Sequence, residues 1–394
     1  MKKVLVFGHI PKWFGGKQSS GLSNGMYQLA FNMANFTNDL NVTFFATDIH
    51  DTKIHRGKLK IYGWKKETLI LDILRNILTS IGLFFSTIKI YSKIYNVSIL
   101  NLYIKRILLK KIISKLKPEL VHLHGINSCY LIDIIPKDIK IMVTMHHCLF
   151  NDKSIKNCNK YYKLEEKICK SKKIDSIVFI TKQVSNEFHE LYGPITPKSD
   201  LILQGYENHK YYYTEKKKRK NEKTTLCTIG SISERKGQIR VIEALKTFSN
   251  KINYICIGGG NEEKIKELKV TAKKYNIDFN YHGVIETEKI REKMAYVDFM
   301  ILPSMKEGFG ATYIESIACG VPVIAPKNSP LVFEKILNKT NSILIENENI
   351  DSIKTCLSNL KSYNFDNKSV SQSLPNLGWN NIAKQYEKLI LSLK

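Results

Sequence analysis

Pro303-Ser304-Met305-Lys306-Glu307-Gly308-Phe309-Gly310-Ala311-Thr312-Tyr313-Ile314-Glu315 is the stretch from which the rest of the chain can be read. The four residues before it, 299–302, form a short apolar run of the kind shown by a parallel strand buried on both faces. After it, residues 311–319 pattern as a helix, stopped by Gly320 at the C′ position and by Pro322 two residues later. Strand, glycine-bearing loop and helix start thus follow one another. In an open α/β sheet, loops at the carboxyl ends of strands line the crevice where ligands bind.

Two carboxylates flank that turn. Glu307 sits beside Gly308 and Gly310, where backbone can approach a ligand closely. On a helical wheel Glu315 falls between Ala311 and Ala318, on the side that carries Ile314, with Thr312, Tyr313 and Ser316 on the other side. An inward carboxylate needs partners, because an unpaired buried charge is costly. The plainer alternative is a Glu315 at the edge of that face, reaching solvent.

Working outward, similar apolar runs recur with helical patterns between them. In the first half they lie at 4–7, 42–46, 120–123, 141–144, 177–180 and 201–203. In the second they lie at 226–229, 254–257, 279–281, 299–302, 322–325 and 343–345. Strands alternating with helices imply an α/β protein with parallel sheets built from βαβ units. A length of 394 residues accommodates two such cores. The expected organisation is a Rossmann-like domain over 1–205, a basic linker over 206–224, a second Rossmann-like domain over 225–375, and a closing helical segment over 376–394. The linker assignment rests on its polar composition and on the run Lys216-Lys217-Lys218-Arg219-Lys220.

Hydrophobic content of 43% is ordinary for a globular protein, but 61 basic residues against 36 acidic ones give a net charge of +25. Such a balance points to a polyanionic partner, nucleic acid or an acidic membrane face. No aromatic-interleaved basic motif or zinc spacing supports nucleic acid. The eight cysteines show no Cys-x-x-Cys pair and read as reduced thiols. The apolar run after Met1-Lys2-Lys3 is too short for a secretory signal. No stretch reaches the roughly 18 apolar residues of a membrane span. The longest, 77–90, is interrupted by Thr79, Ser80, Ser86, Thr87 and Lys89. A cytoplasmic protein is expected.

Glu307 and Glu315 with seven residues between them, followed by Cys319-Gly320-Val321-Pro322-Val323-Ile324, resemble the signature of retaining glycosyltransferases of the GT-B fold, in the large family numbered four. The resemblance implies two Rossmann-like domains facing across a cleft, closing over it to exclude water. It also implies that Glu307, with Gly308, Phe309 and Gly310, contacts a donor sugar and that Glu315 binds the ribose of a sugar nucleotide. The stretch Gly230-Ser231-Ile232-Ser233-Glu234-Arg235-Lys236-Gly237 resembles the loop whose Arg and Lys clamp the diphosphate. Lys236 matches; Ser231 stands where the family has Arg, and Arg235 can supply the missing charge. Cations there neutralise charge on a departing nucleotide diphosphate, whereas without an anionic ligand they would oppose the helix dipole.

Further segments extend the resemblance. Tyr281-His282-Gly283-Val284 is similar to the strand end beside the base, which assigns Val284 to the nucleoside, and Gly258-Gly259-Gly260 is similar to a family turn. Glu334 resembles a glutamate that follows the family's proline-containing loop, and Trp379-Asn380-Asn381-Ile382-Ala383 resembles its terminal helix, which returns to the first domain. In the first half, Lys117-Pro118-Glu119-Leu120-Val121-His122-Leu123-His124-Gly125 and Thr144-Met145-His146-His147 resemble two strand ends of the family. The second places His146 near the reacting sugar, while His147 stands where Asp is usual. Gly15-Gly16 and Gly21, between the first strand and a helix, are of the kind that binds phosphate, which makes Gly16 and Gly21 candidates for the donor diphosphate.

The reading is a metal-independent retaining glycosyltransferase, since no Asp-x-Asp occurs. Its partners are a nucleotide-sugar donor, UDP-linked by expectation, and a glycan or lipid-linked acceptor of surface-polysaccharide synthesis; no separate cofactor is expected. It would lie peripherally on the inner face of the cytoplasmic membrane. Residues 105–117 pattern as a helix with an apolar stripe, Arg106, Lys110 and Lys117 opposite it and free to face acidic lipid, and the segment 69–90 adds a shallow apolar contact. The alternatives are a sugar-nucleotide epimerase of the same fold and a non-catalytic basic membrane- or nucleic-acid-binding protein.

Overall fold

The computed structural model describes residues 1–12, 21–49, 54–75, 77–91, 98–126, 130–152, 158–217 and 223–393. The chain divides into two units, Met1–Gly205 with Trp379–Lys394, and Tyr206–Gly378.

The first unit holds strands β1 (Lys2–Gly8), β2 (Leu40–Ala46), β3 (Ile54–Arg56), β4 (Leu59–Tyr62), β5 (Leu120–His124), β6 (Lys140–Met145), β7 (Ser176–Phe179) and β8 (Lys198–Leu201). They lie in the order β3-β4-β2-β1-β5-β6-β7-β8. All neighbours are parallel except β3 and β4. The central strands carry unbroken buried runs, all of β5 and Val4–Phe7 of β1, because helices cover both faces of the sheet. The closing helix Trp379–Ser392 belongs to this unit and buries Trp379, Ile382, Ala383, Tyr386, Leu389 and Ile390. It packs on the helix Gly21–Phe36. Gly205 is required there: a Cβ would lie 2.6 Å from the Trp379 ring.

The second unit is a six-stranded parallel sheet of β9 (Thr224–Ile229), β10 (Ile252–Ile257), β11 (Asp278–Tyr281), β12 (Phe299–Ile301), β13 (Val323–Pro326) and β14 (Ser342–Ile345). Its order is β11-β10-β9-β12-β13-β14. In each sheet the chain reverses its direction of growth beside one strand, at β1/β5 in the first unit and β9/β12 in the second. These are the topological switch points, where flanking loops diverge and leave a crevice.

Four expectations need correction. The hairpin β3–β4, turning at Gly57 with φ +56°, adds two strands that the apolar pattern did not reveal. The last strand of the first unit is Lys198–Leu201, not 201–203; its side chains are largely exposed at the sheet edge, so no apolar run marks it. Residues 206–217 are no linker but part of the second unit. Tyr211 is buried, Lys217 N donates to Ala295 O (3.0 Å), and the Arg291 guanidinium sits 4.2 Å from the Tyr212 ring centroid. Finally, Arg106 does not face outward from the helix Ile99–Leu116. It is 1% exposed, gives paired hydrogen bonds of 2.8 Å to the Asp133 carboxylate, and also bonds Tyr130 O (2.6 Å) and Ser86 Oγ (3.0 Å). Lys110 and Lys117 are exposed as expected, and Lys111 and Lys115 are exposed too.

The helix Ile77–Tyr91 is turned inside out relative to an ordinary surface helix. Ser80 and Thr87 are buried, Thr87 Oγ1 donating to Leu83 O (2.6 Å), while Leu78, Ile81, Phe84, Phe85 and Ile88 are exposed. With Ile70, Leu71 and Leu74 of the preceding helix Lys66–Arg75, they leave a cluster of apolar side chains in water. Among the described residues no helix is long and apolar enough to cross a membrane.

Candidate functional site

In the second unit the switch point is built by two loops, 230–237 after β9 and 302–310 after β12. Glycines let them approach. Gly258, at φ +142°, packs so tightly on the Gly230 carbonyl that a Cβ would lie 2.0 Å from its oxygen. Gly237, at φ +80°, has the Pro303 carbonyl 2.8 Å from where its Cβ would be. Hydrogen bonds then lock the loops together: Met305 N to Arg235 O (2.9 Å), Arg235 Nη1 to Lys306 O (2.6 Å) and Arg240 Nη2 to Pro303 O (2.7 Å). Arg240 also bonds the carbonyls of Glu234 (2.7 Å) and Glu348 (2.9 Å). It acts as a three-way brace that no motif in the sequence marks.

This framework brings Lys236 and Glu307 into contact, Nζ to Oε1 at 2.5 Å, with both side chains largely shielded from water. Arg235 Nη1 lies 3.9 Å from the same oxygen and is more exposed. Two cations thus converge on one carboxylate at the carboxyl end of the sheet. Gly308 is half-buried, whereas Phe309 and Gly310 are buried. Gly310, at φ +89°, starts the helix Ala311–Ala318, and Tyr313 anchors that start by donating to Leu302 O (2.5 Å).

That helix corrects the wheel. Tyr313 and Ser316 are buried together with Ile314, Ile317 and Ala318, and the open side carries Ala311, Thr312 and Glu315. Glu315 is half-buried and meets residues of the 206–217 segment. Tyr211 hydrogen-bonds it, while burial first, and then the neighbouring Glu207 carboxylate, push its pKa up to about 7. Val284 is 72% exposed next to Gly259, at the end of β11. Glu207 and Tyr211 were missed because their segment reads as polar and carries no periodicity.

In the first unit, β5 and β6 end in three histidines. His124 Nδ1 and His146 Nε2 are 3.1 Å apart, and His122 Nε2 is 2.8 Å from Thr144 Oγ1, which in turn meets Tyr386 OH (3.2 Å). Burial, then the neighbouring His147, hold His146 down at about 3; burial and His146 do the same to His122. At neutral pH these rings are uncharged, suited to sharing a proton or accepting a hydroxyl and unsuited to serving as cations. Gly21 opens the helix Gly21–Phe36 in this unit, and none of the described residues packs against the position of its absent Cβ. Gly16 lies outside the described residues. No group of three or more His, Cys, Asp or Glu among the described residues is arranged to hold a metal ion.

Comparison with known proteins agrees with this geometry. The family described as Glycosyl transferases group 1 matches residues 213–369, which contain Lys236, Glu307 and Glu315. The chain is 30% identical over 171 residues to the O-antigen biosynthesis glycosyltransferase WclY of Escherichia coli, covering 41% of this chain and 45% of that protein. It is 24% identical over 165 residues to the lipopolysaccharide glucosyltransferase WaaG of Escherichia coli K12, covering 39% and 44%. The chain thus spans about half the length of the curated relatives it matches. Solved structures match along the whole chain. Sucrose-phosphate synthase from Thermosynechococcus elongatus superposes with a TM-score of 0.76 at 15% identity, over 100% of this chain and 99% of that one. Anabaena HepE, solved in complex with UDP and glucose, gives 0.68 at 13% identity, over 99% of each chain. The fold match along the chain shows the GT-B fold, and within it residues 213–369 match the family described as Glycosyl transferases group 1.

Proposed function

We propose that the protein transfers a sugar from a nucleotide-sugar donor to a glycan or lipid-linked acceptor in surface-polysaccharide synthesis, with retention of anomeric configuration. One observation carries the reading: Lys236, Arg235 and Glu307 converge at the switch point of the same sheet whose adjoining helix presents Glu315. Lys236 and Arg235 supply positive charge for a diphosphate leaving group, which grows more negative as the sugar departs. Glu307 holds Lys236 in place and offers its second oxygen to donor-sugar hydroxyls, and Glu315 accepts the ribose hydroxyls. Two lysine and arginine cations at this point do the work that a divalent metal does elsewhere, so transfer needs no added metal. The relatives named for O-antigen and lipopolysaccharide synthesis favour a cell-surface glycan as product. His146, uncharged beside His124, is placed in the first unit to meet the acceptor side of the reaction.

The outward apolar side chains of the helices Lys66–Arg75 and Ile77–Tyr91 favour work at a membrane surface. An exposed cluster of this kind marks an interaction site. With a net charge of +25, the surface it suits is anionic lipid.

Calorimetry with UDP, GDP and ADP, followed by donor turnover with and without EDTA, tests the reading. Binding of one nucleoside diphosphate, with turnover that survives chelation, is the expected result. Failure of all three to bind, or complete loss of turnover in EDTA restored by Mg²⁺ or Mn²⁺, would overturn the donor-site or the metal-free assignment respectively.

A further inference from the structure

A small cavity of about 140 Å³ opens in the first unit at its own switch point, against the carboxyl ends of β1, β2 and β5. Its polar lining includes His9, Thr47, Lys105 and His124, and its apolar lining includes Leu22 and Met26. It is smaller than the roughly 300–1,000 Å³ of drug-sized ligand sites. It admits one sugar ring or a charged head, not an oligosaccharide.

Two of these polar groups lack the partners their surroundings require. His124 is 9% exposed and bonded to His146 through Nδ1, yet its Nε2 is buried with no hydrogen-bond partner among the described residues. Either tautomer leaves Nε2 able to bond a sugar hydroxyl, which can both donate and accept. Lys105 is half-buried, and no hydrogen bond or ion pair reaches its ammonium from the described residues. Asp48, the acid that attracts it electrostatically, is itself buried and already engaged by Ile10 N (3.3 Å) and by His9 Nδ1 (3.8 Å). Loss of water lowers the Lys105 pKa from its ordinary value. A cation held out of water without a direct counter-ion is unfavourable until an anion joins it. Its neighbour on the same helix face, Leu102, also lines the cavity, so the helix Ile99–Leu116 aims Lys105 into this space.

We propose that this cavity receives an acceptor sugar bearing an oxyanion, a carboxylate or a phosphate, with Lys105 pairing the charge and His124 Nε2 bonding a ring hydroxyl. The inference rests on reading the first unit as the acceptor side of a sugar transfer. It makes Lys105 a specificity-determining residue. His124 then links the bound sugar to His146 through one hydrogen bond.

Saturation-transfer NMR and competition titrations on the full chain test this, with glucose, glucuronate and glucose 6-phosphate as probes and UDP as a separate probe of the second unit. At least one of the two anionic sugars should bind tenfold or more tighter than glucose, and which one does identifies the oxyanion. Lys105→Met should abolish that preference, Lys105→Arg should retain most of it, and both should leave UDP binding unchanged. Equal binding of all three sugars, no binding of any, or a preference that survives Lys105→Met would overturn the proposal. UDP binding in those same samples separates its failure from failure of the donor-site reading.

Discussion

Lys236 Nζ stands 2.5 Å from Glu307 Oε1, and the two side chains come from loops that Gly237 allows to approach at Pro303. The pair is shielded from water, so neither charge is well satisfied without the other. Lys236→Ala should lower donor turnover, read as kcat/KM, by about 10²–10³-fold, the scale of one lost electrostatic donor. Glu307→Gln should lower turnover while sparing nucleoside diphosphate binding. Calorimetry on both variants checks this; a Glu307→Gln protein that no longer binds the diphosphate would reverse the assignment.

Glu315 has a pKa raised to about 7 by burial and by Glu207. Ribose hydroxyls donate to the carboxylate form, so binding favours its ionisation. The folded-state pKa is raised, so ionising this group destabilises the fold as pH climbs towards 7, whereas ligand affinity moves the other way. Nucleoside diphosphate affinity should strengthen about tenfold between pH 6 and pH 8 and then level off. Glu315→Gln should bind more weakly at pH 8 and show a flat profile. Affinity that does not change over that range in the unaltered protein would argue against a ribose contact.

Arg106 is almost wholly buried, and its guanidinium joins the helix Ile99–Leu116 to Asp133 and to the helix Ile77–Tyr91. Removing one partner of a buried pair costs about 3–5 kcal/mol. Asp133 keeps some contact with solvent, which places Arg106→Ala at the lower end. Urea unfolding followed by far-UV circular dichroism should show the first transition moved to lower denaturant. Nucleoside diphosphate binding by the second unit should persist before that transition.

Leu78 and Phe85 are 83% and 65% exposed on a helix that buries Ser80 and Thr87. Flotation should show binding to acidic liposomes that weakens as salt is raised from about 0.05 to about 0.5 M, since screening then acts over only a few ångströms. Leu78→Ser/Phe85→Ser should lose that binding with little loss of thermal stability, because both side chains are mostly exposed. Unchanged flotation of the double variant would place the lipid contact elsewhere.

The sequence by itself determined the parallel α/β architecture and the loop that carries Glu307. Unbroken apolar runs such as 120–123 arise only where both faces of a strand are covered, and a glycine-rich turn between such a run and a helix marks a strand end. Lys236 and Glu307 were legible for the same reason, each lying just beyond a strand. Tertiary structure alone decided the rest. Arg106 sits on a helix at a spacing that reads as solvent-facing, and only the neighbouring Asp133, far away in sequence, shows why it is buried. Tyr211 and Glu207 reach Glu315 from a stretch with no periodicity, because a polar segment can pack on a domain through a few side chains. The outward turn of Leu78, Phe84 and Phe85 could not be read either: a mixed apolar and hydroxyl pattern fits both orientations of a helix, and only the tertiary structure shows Ser80 and Thr87 buried. Lys105 and His124 Nε2, without a hydrogen-bond partner among the described residues, are of the same kind, since a missing partner is a property of the space around a side chain.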